Sequence, residues 1–189
     1  MITFPYGIAD FARIRRQRMV YVDRTSHIRD LEEMGSIIVF LRPRRFGKSL
    51  WLQTLAEYYD LRKGDQFDEL FGGLAIGRDP TPLRNSYFVM QWNLSKVDAG
   101  GSVDQIREGI RIHVSAQAKL FARQYQDLLP FPIEVDGTPV EVLGSLLGAV
   151  SETDSKLYLL IDEYGPSRRP GRRWRAIARR WSNASARRR

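Results

Sequence analysis

A mixed α/β fold built on a mostly parallel sheet is predicted by three features of the sequence. The first is a continuous β-branched apolar run, Ser36-Ile-Ile-Val-Phe-Leu41, and the second is a similar run, Lys156-Leu-Tyr-Leu-Leu-Ile161, which ends at Asp162-Glu163. The third is the set of amphipathic helical segments between them. Apolar runs without alternation suit strands covered by helices on both faces, so the expected architecture is three layers, helix, sheet and helix.

The elements follow in chain order. A short helix is predicted from about Asp10, then a strand-like Met19 to Val22, then a second helix started by Thr25 or Ser26, whose hydroxyls can cap free backbone N–H groups. Ile28, Leu31 and Met34 give that helix an apolar face, and Gly35 stands where a left-handed C-terminal cap ends it. The buried strand 36–41 leads into Arg-Pro-Arg-Arg-Phe-Gly-Lys-Ser, and Leu50 to Tyr59 has helical spacing. Arg62 to Asn85 is rich in Gly, Asp and Pro and predicts a loop with short turns around Phe67, Leu70 and Phe71. Tyr87-Phe-Val-Met-Gln-Trp92 is the next strand. Ser102 opens a long helix with Val103, Ile106, Ile110, Val114, Phe121 and Tyr125 near one face. A further helix spans about Pro139 to Glu152, with Val140, Leu143, Leu147 and Val150 inward.

At 189 residues, 43% hydrophobic and 28% charged, the chain suits one domain with a core of its own. No window approaches the roughly 18 apolar residues a membrane span needs, and the N-terminus lacks a signal-peptide core, so a cytoplasmic protein with no membrane partner is expected. Without cysteine there are no disulfides or thiolate metal sites. His27 and His113 are too few and too far apart for a zinc motif, so any cation is expected on oxygen ligands. Both histidines read as surface or satisfied core groups, and Trp51, Tyr58 and Tyr59 as core.

The net charge of +8 is unevenly placed. Ten of the 30 basic residues lie beyond Gly165, where no acidic residue occurs, so residues 1–165 hold 20 basic against 22 acidic groups, a net of −2. The basicity belongs to residues 166–189.

Two motifs carry chemistry. The phosphate-loop pattern G-x-x-x-x-G-K-[ST] wraps phosphates in backbone N–H groups, reaches them with lysine and holds magnesium with the hydroxyl. Gly47, Lys48 and Ser49 fit it, with Arg42 in the first glycine position, and a buried strand before and a helix after supply the context. The apolar run ending in Asp162-Glu163 delivers one carboxylate suited to a metal and a second suited to orienting or deprotonating water. Arg44 and Arg45 are secondary candidates for phosphate contact, against the plainer reading that they only shape the surface field. Asp23 to Thr25 reads first as helix initiation by Thr25, with a place near the nucleotide base or a packing turn as the alternatives.

Taken together, PYGIADFARIR, YVDRT, FLRPRRFGKSL, FDELFGGLAIG and LLIDEY resemble the AAA-ATPase-like family of bacterial and archaeal proteins over about Phe4 to Tyr164. The RPRRFGKS form of the loop is usual in that family. The resemblance implies a P-loop NTPase-type, three-layer αβα domain over residues 1–164, incomplete at its C-terminus, with ATP and Mg2+ as cofactors. It places Arg44, Arg45, Phe46, Gly47, Lys48, Ser49 and Leu50 around the nucleotide, Ser49 and Asp162 on the metal, and Lys48 and Glu163 in catalysis. Longer members of the family resemble an ATPase joined to a C-terminal nuclease-like domain.

After Tyr164 the sequence turns abruptly to arginine, where family-like sequence continues into helix and strands. Residues 165–189 read as a frameshifted or truncated product in preference to a basic arm that binds nucleic acid through its arginines, Trp174 and Trp181. Since a further strand normally lies between the phosphate-loop strand and the acidic strand in proteins of this kind, the reading expects those two strands to lack a shared neighbour and hydrolysis to be impaired. The rival reading is a nucleic-acid-binding protein whose phosphate loop is catalytically idle.

Overall fold

Parallel pairing of β1 (Tyr87–Asn93) with β2 (Lys156–Asp162) forms the sheet, in a register running from Tyr87 opposite Lys156 to Asn93 opposite Asp162. This is a computed structural model, and it describes residues 2–41, 43, 46–96 and 102–162. Parallel strands need a long crossover. It is supplied by α6 (Val103–Tyr125) and α7 (Pro139–Ser151), with α1 (Phe11–Arg16), α2 (His27–Glu33), α3 (Lys48–Tyr59), α4 (Phe67–Phe71) and α5 (Ala75–Arg78) preceding the sheet.

Strand alternation sends side chains to two cores. Val89 and Leu160, with Tyr87 and Tyr158, pack on Leu55, Tyr58 and Tyr59 of α3 and on the aromatic residues of α1 and α4. Phe88 and Met90, with Leu157, pack on Val114, Phe121 and Tyr125 of α6 and on Val142, Leu146 and Ala149 of α7. Helices therefore cover both faces of the sheet, as the apolar runs require. Both crossover helices begin with a capping box, Ser102 with Gln105 and Thr138 with Glu141, and Pro139 stands in the first turn of α7, where its missing N–H has no cost.

Several expectations change. The run Ser36–Leu41 belongs to no strand, and Ile37, Val39 and Leu41 are 91%, 67% and 72% exposed. A strand is stable only when a neighbour takes up its N–H and C=O groups, and the sheet contains only β1 and β2 among the described residues. Met19 to Val22 likewise forms no strand, although Val20 N–H donates to Thr3 O at 2.9 Å.

The expected loop 62–85 contains α4, α5 and a 3-10 turn, Leu61–Gln66. Asp60 caps that turn through Arg62 N–H, and Phe67, Leu70 and Phe71 have the i, i+3, i+4 spacing that buries one helical face. On α6, Val103 and Ile110 are exposed while Val114, Phe121 and Tyr125 are buried. On α7, Val140 and Leu147 are exposed and Val142, Leu146, Ala149 and Val150 are inside. That helix is apolar on nearly every side, so its periodicity does not select a face.

Asp23 fastens the N-terminal layer. Its carboxylate accepts hydrogen bonds from Thr25 N–H and Oγ1 at 2.9 and 2.7 Å and from Ala75 N–H at 2.8 Å. Fully buried Thr25 Oγ1 in turn accepts from Ile76 N–H at 3.2 Å. Ser26 precedes α2 without a side-chain cap and the Thr25 hydroxyl is engaged by Asp23 and Ile76, so Asp23 to Thr25 is a packing turn that joins the start of α2 to the start of α5 and not the expected hydroxyl cap. Partial burial raises the pKa of Asp23, but the Thr25 and Ala75 donors outweigh it and leave the carboxyl below its usual range.

A depressed carboxyl stabilises the fold above its unfolded pKa, and that contribution is lost as pH falls through the folded value. Asp23→Ala is expected to lower stability by about 2 kcal/mol at pH 7, the scale of a charged hydrogen-bond acceptor. In urea titrations the difference from wild type should narrow below about pH 4. A difference independent of pH refutes the assignment.

Candidate functional site

The C-terminal ends of β1 and β2 meet the start of α3, the end of an open α/β sheet at which ligands bind. Gly47 precedes α3 with φ of 77°, in the left-handed region that favours glycine, and so turns the chain into the helix. Gly47 offers no side chain to cap the first-turn amides, a position where a helix favours an anion. Lys48 is the first residue of α3, and its Nζ donates to Pro43 O at 3.4 Å. Leu50 is half-buried against the core around α3, which seats the first turn, whereas Phe46 is 59% exposed.

Ser49 Oγ donates to Asp162 Oδ2 at 2.6 Å, joining residues 113 apart in sequence. The two motifs singled out by sequence thus meet side chain to side chain. Asp162 is the last residue of β2, half-buried, so its carboxylate emerges where the sheet ends. Arg44, Arg45 and Glu163 lie outside the described residues.

Polar residues that the sequence reading passed over surround this contact. Asn93 is the register partner of Asp162, and its Oδ1 accepts from Ser95 N–H and Oγ at 3.0 and 2.6 Å. Gln53, one turn along α3 from Ser49, donates to Gln91 Oε1 at 2.5 Å. The signal was present in Tyr-Phe-Val-Met-Gln-Trp-Asn: Gln91 and Asn93 interrupt the apolar strand at period two, on the face that packs against α3.

Other candidates fall away from the site. Tyr58 and Tyr59 are buried core residues, and Trp51 packs beside them. His27 pairs with Asp30 at 2.9 Å on the surface, and His113 is buried in α6. Among the described residues no three His, Cys, Asp or Glu gather as a metal cluster. No helix of the described residues is long and apolar enough to cross a membrane.

The family pattern described as "Predicted AAA-ATPase" matches residues 5–167. The chain belongs to the AAA-ATPase-like family. Over 73 residues it is 50% identical to a protein of Azotobacter chroococcum mcd 1 named as an uncharacterized protein in the vnfD 5′ region. That match covers 38% of this chain and 13% of the relative, so the shared segment is a small part of the longer protein. No solved structure matches the chain. Within this AAA-ATPase-like protein the matched residues include both partners of the Ser49–Asp162 contact.

A double-mutant cycle on Ser49→Ala and Asp162→Ala measures the contact directly. The coupling free energy in urea unfolding is expected to be about 1 kcal/mol or more, the scale of a partly exposed charge-assisted hydrogen bond. Strictly additive effects would show that the two side chains do not meet in solution.

Proposed function

We propose that this AAA-ATPase-like protein binds ATP with Mg2+ at the Gly47–Ser49 turn, as a P-loop domain of three-layer αβα type. The observation that carries the proposal is the 2.6 Å contact between Ser49 and Asp162. A hydroxyl and a carboxylate held together are hard oxygen donors, the kind Mg2+ prefers. Two protein ligands also suit Mg2+, which usually keeps several waters and takes its remaining ligands from substrate phosphates.

In this reading the amides at the start of α3 and the Lys48 ammonium neutralise the terminal phosphates. Arg44, Arg45, Phe46 and Leu50 complete the loop around them. When bound, Mg2+ draws charge from the phosphate oxygens. Ser49 and Asp162 would be its protein ligands, and Glu163, next to Asp162, would orient or deprotonate the attacking water. Hydrolysis is expected to be poor, because Ser36–Leu41, which leads into the loop, has no strand neighbour among the described residues.

A second reading is favoured by one observation, the ten arginines beyond Gly165. They would bind nucleic-acid phosphates through counterion release, with steep salt dependence. Removing residues 166–189 separates the two readings, since it should abolish salt-sensitive DNA or RNA binding and leave nucleotide binding at Lys48 in place.

Titration with a fluorescent ATP analogue in the presence of Mg2+ tests the main proposal. Lys48→Ala should weaken binding by about tenfold or more, or roughly 1.4 kcal/mol, and Asp162→Ala should remove most of the Mg2+ dependence. Wild-type affinity in Lys48→Ala would refute it. Robust Mg2+-dependent turnover abolished by Lys48→Ala would instead support the site and overturn only the expectation of poor hydrolysis.

A further inference from the structure

A groove between α6 and the segment that follows it takes no part in the proposed nucleotide site. It has a volume of about 590 Å3 and runs between Lys119, Ala122 and Arg123 of α6 and the segment Leu129 to Val135. Small-ligand pockets span roughly 300–1,000 Å3, so a molecule of modest size fits.

The outer wall is stiff. Pro130 and Pro132 fix the backbone on either side of Phe131, Ile133 is buried, and Leu129 and Val135 pack against the α6–α7 core. Glu134 N–H donates to Ser145 Oγ at 2.7 Å and ties the segment to α7. The groove is therefore preformed, which lowers the ordering cost of binding.

Its charge is one-sided. Lys119 is neutralised by Asp136 at 2.8 Å, whereas Arg123, one turn further along α6, has no ion-pair partner among the described residues. An apolar wall beside one guanidinium unpaired among the described residues matches an apolar body with one anionic end. We propose that the groove binds a small amphipathic carboxylate, its hydrocarbon part against Phe131, Leu129 and Val135 and its carboxylate on Arg123. The planar guanidinium can take both carboxylate oxygens at once.

The test compares two probes of equal chain length on the full chain, sodium octanoate and 1-octanol, by calorimetric or NMR titration. Octanoate should bind about tenfold or more tightly than octanol, and Arg123→Gln, an exposed substitution that spares the core, should bring the two together. Lys48→Ala should leave octanoate binding unchanged, which separates this site from the nucleotide site. Equal binding of the two probes by the wild type, undiminished octanoate binding in Arg123→Gln, or no octanoate binding at millimolar concentration would each overturn the proposal.

Discussion

The Ser49–Asp162 hydrogen bond closes the start of α3 onto the end of β2, and the proposed nucleotide site depends on that closure. A charge-assisted bond of this kind contributes about 1.5–3 kcal/mol at most, too little to position a helix and a strand that are far apart in sequence. The positioning comes from below. Leu55, Tyr58 and Tyr59 of α3 are almost fully buried against Val89 and Leu160, and side chains of this size each stabilise by about 1.5–3 kcal/mol when buried. The register of β1 with β2 then fixes the height of Asp162. Ser49 meets Asp162 because the aromatic layer beneath has already set the distance.

The two halves of the site do not share this support equally. Asp162 stands at the end of a strand paired along its whole length with β1. The turn carrying Gly47 and Lys48 is held on its far side by α3, but it is entered from the exposed segment Ser36–Leu41. The carboxylate end is thus anchored by sheet and core, while the lysine end is anchored by α3. Phosphate-binding loops depend on backbone amides held in a fixed curve, so loss of support on the entering side bears more on nucleotide affinity and turnover than on the Ser49–Asp162 contact. Apolar side chains exposed along a segment outside the sheet also favour association between chains.

Much of this was legible in the sequence, for reasons that differ by element. The strands at Tyr87 and Lys156 and helices α1, α2, α3 and α6 announced themselves through apolar runs, spacing and capping residues, which act locally. The meeting of Ser49 with Asp162 was foreseeable because the chemistry of phosphate and magnesium demands both groups at one place. The fate of Ile37 to Leu41 was not, since those residues carry a buried-strand pattern whose fulfilment depends on a neighbour elsewhere in the chain. Helices α4 and α5 were masked by Gly72, Gly73 and Gly77, which suggest a loop although Phe67, Leu70 and Phe71 bury a helical face. On α7 several faces are apolar, and only packing against the sheet and α6 decides that Val142 and Leu146 enter the core while Val140 and Leu147 do not.

Charge imposes a final constraint on how such a protein can attract a polyphosphate. Residues 1–165 carry a net of −2, so the domain's overall field does not favour an anion at long range. Attraction at the proposed site must therefore be local, from Lys48 and the start of α3, acting at distances where screening is incomplete. In the second reading, the ten arginines of residues 166–189 would bind polyphosphates by release of counterions. The two proposed modes of phosphate binding are thus chemically distinct. Geometry separates the two proposals: the one at Ser49 and Asp162 calls for a terminal phosphate and a metal, whereas an arginine-rich segment would respond to charge density alone.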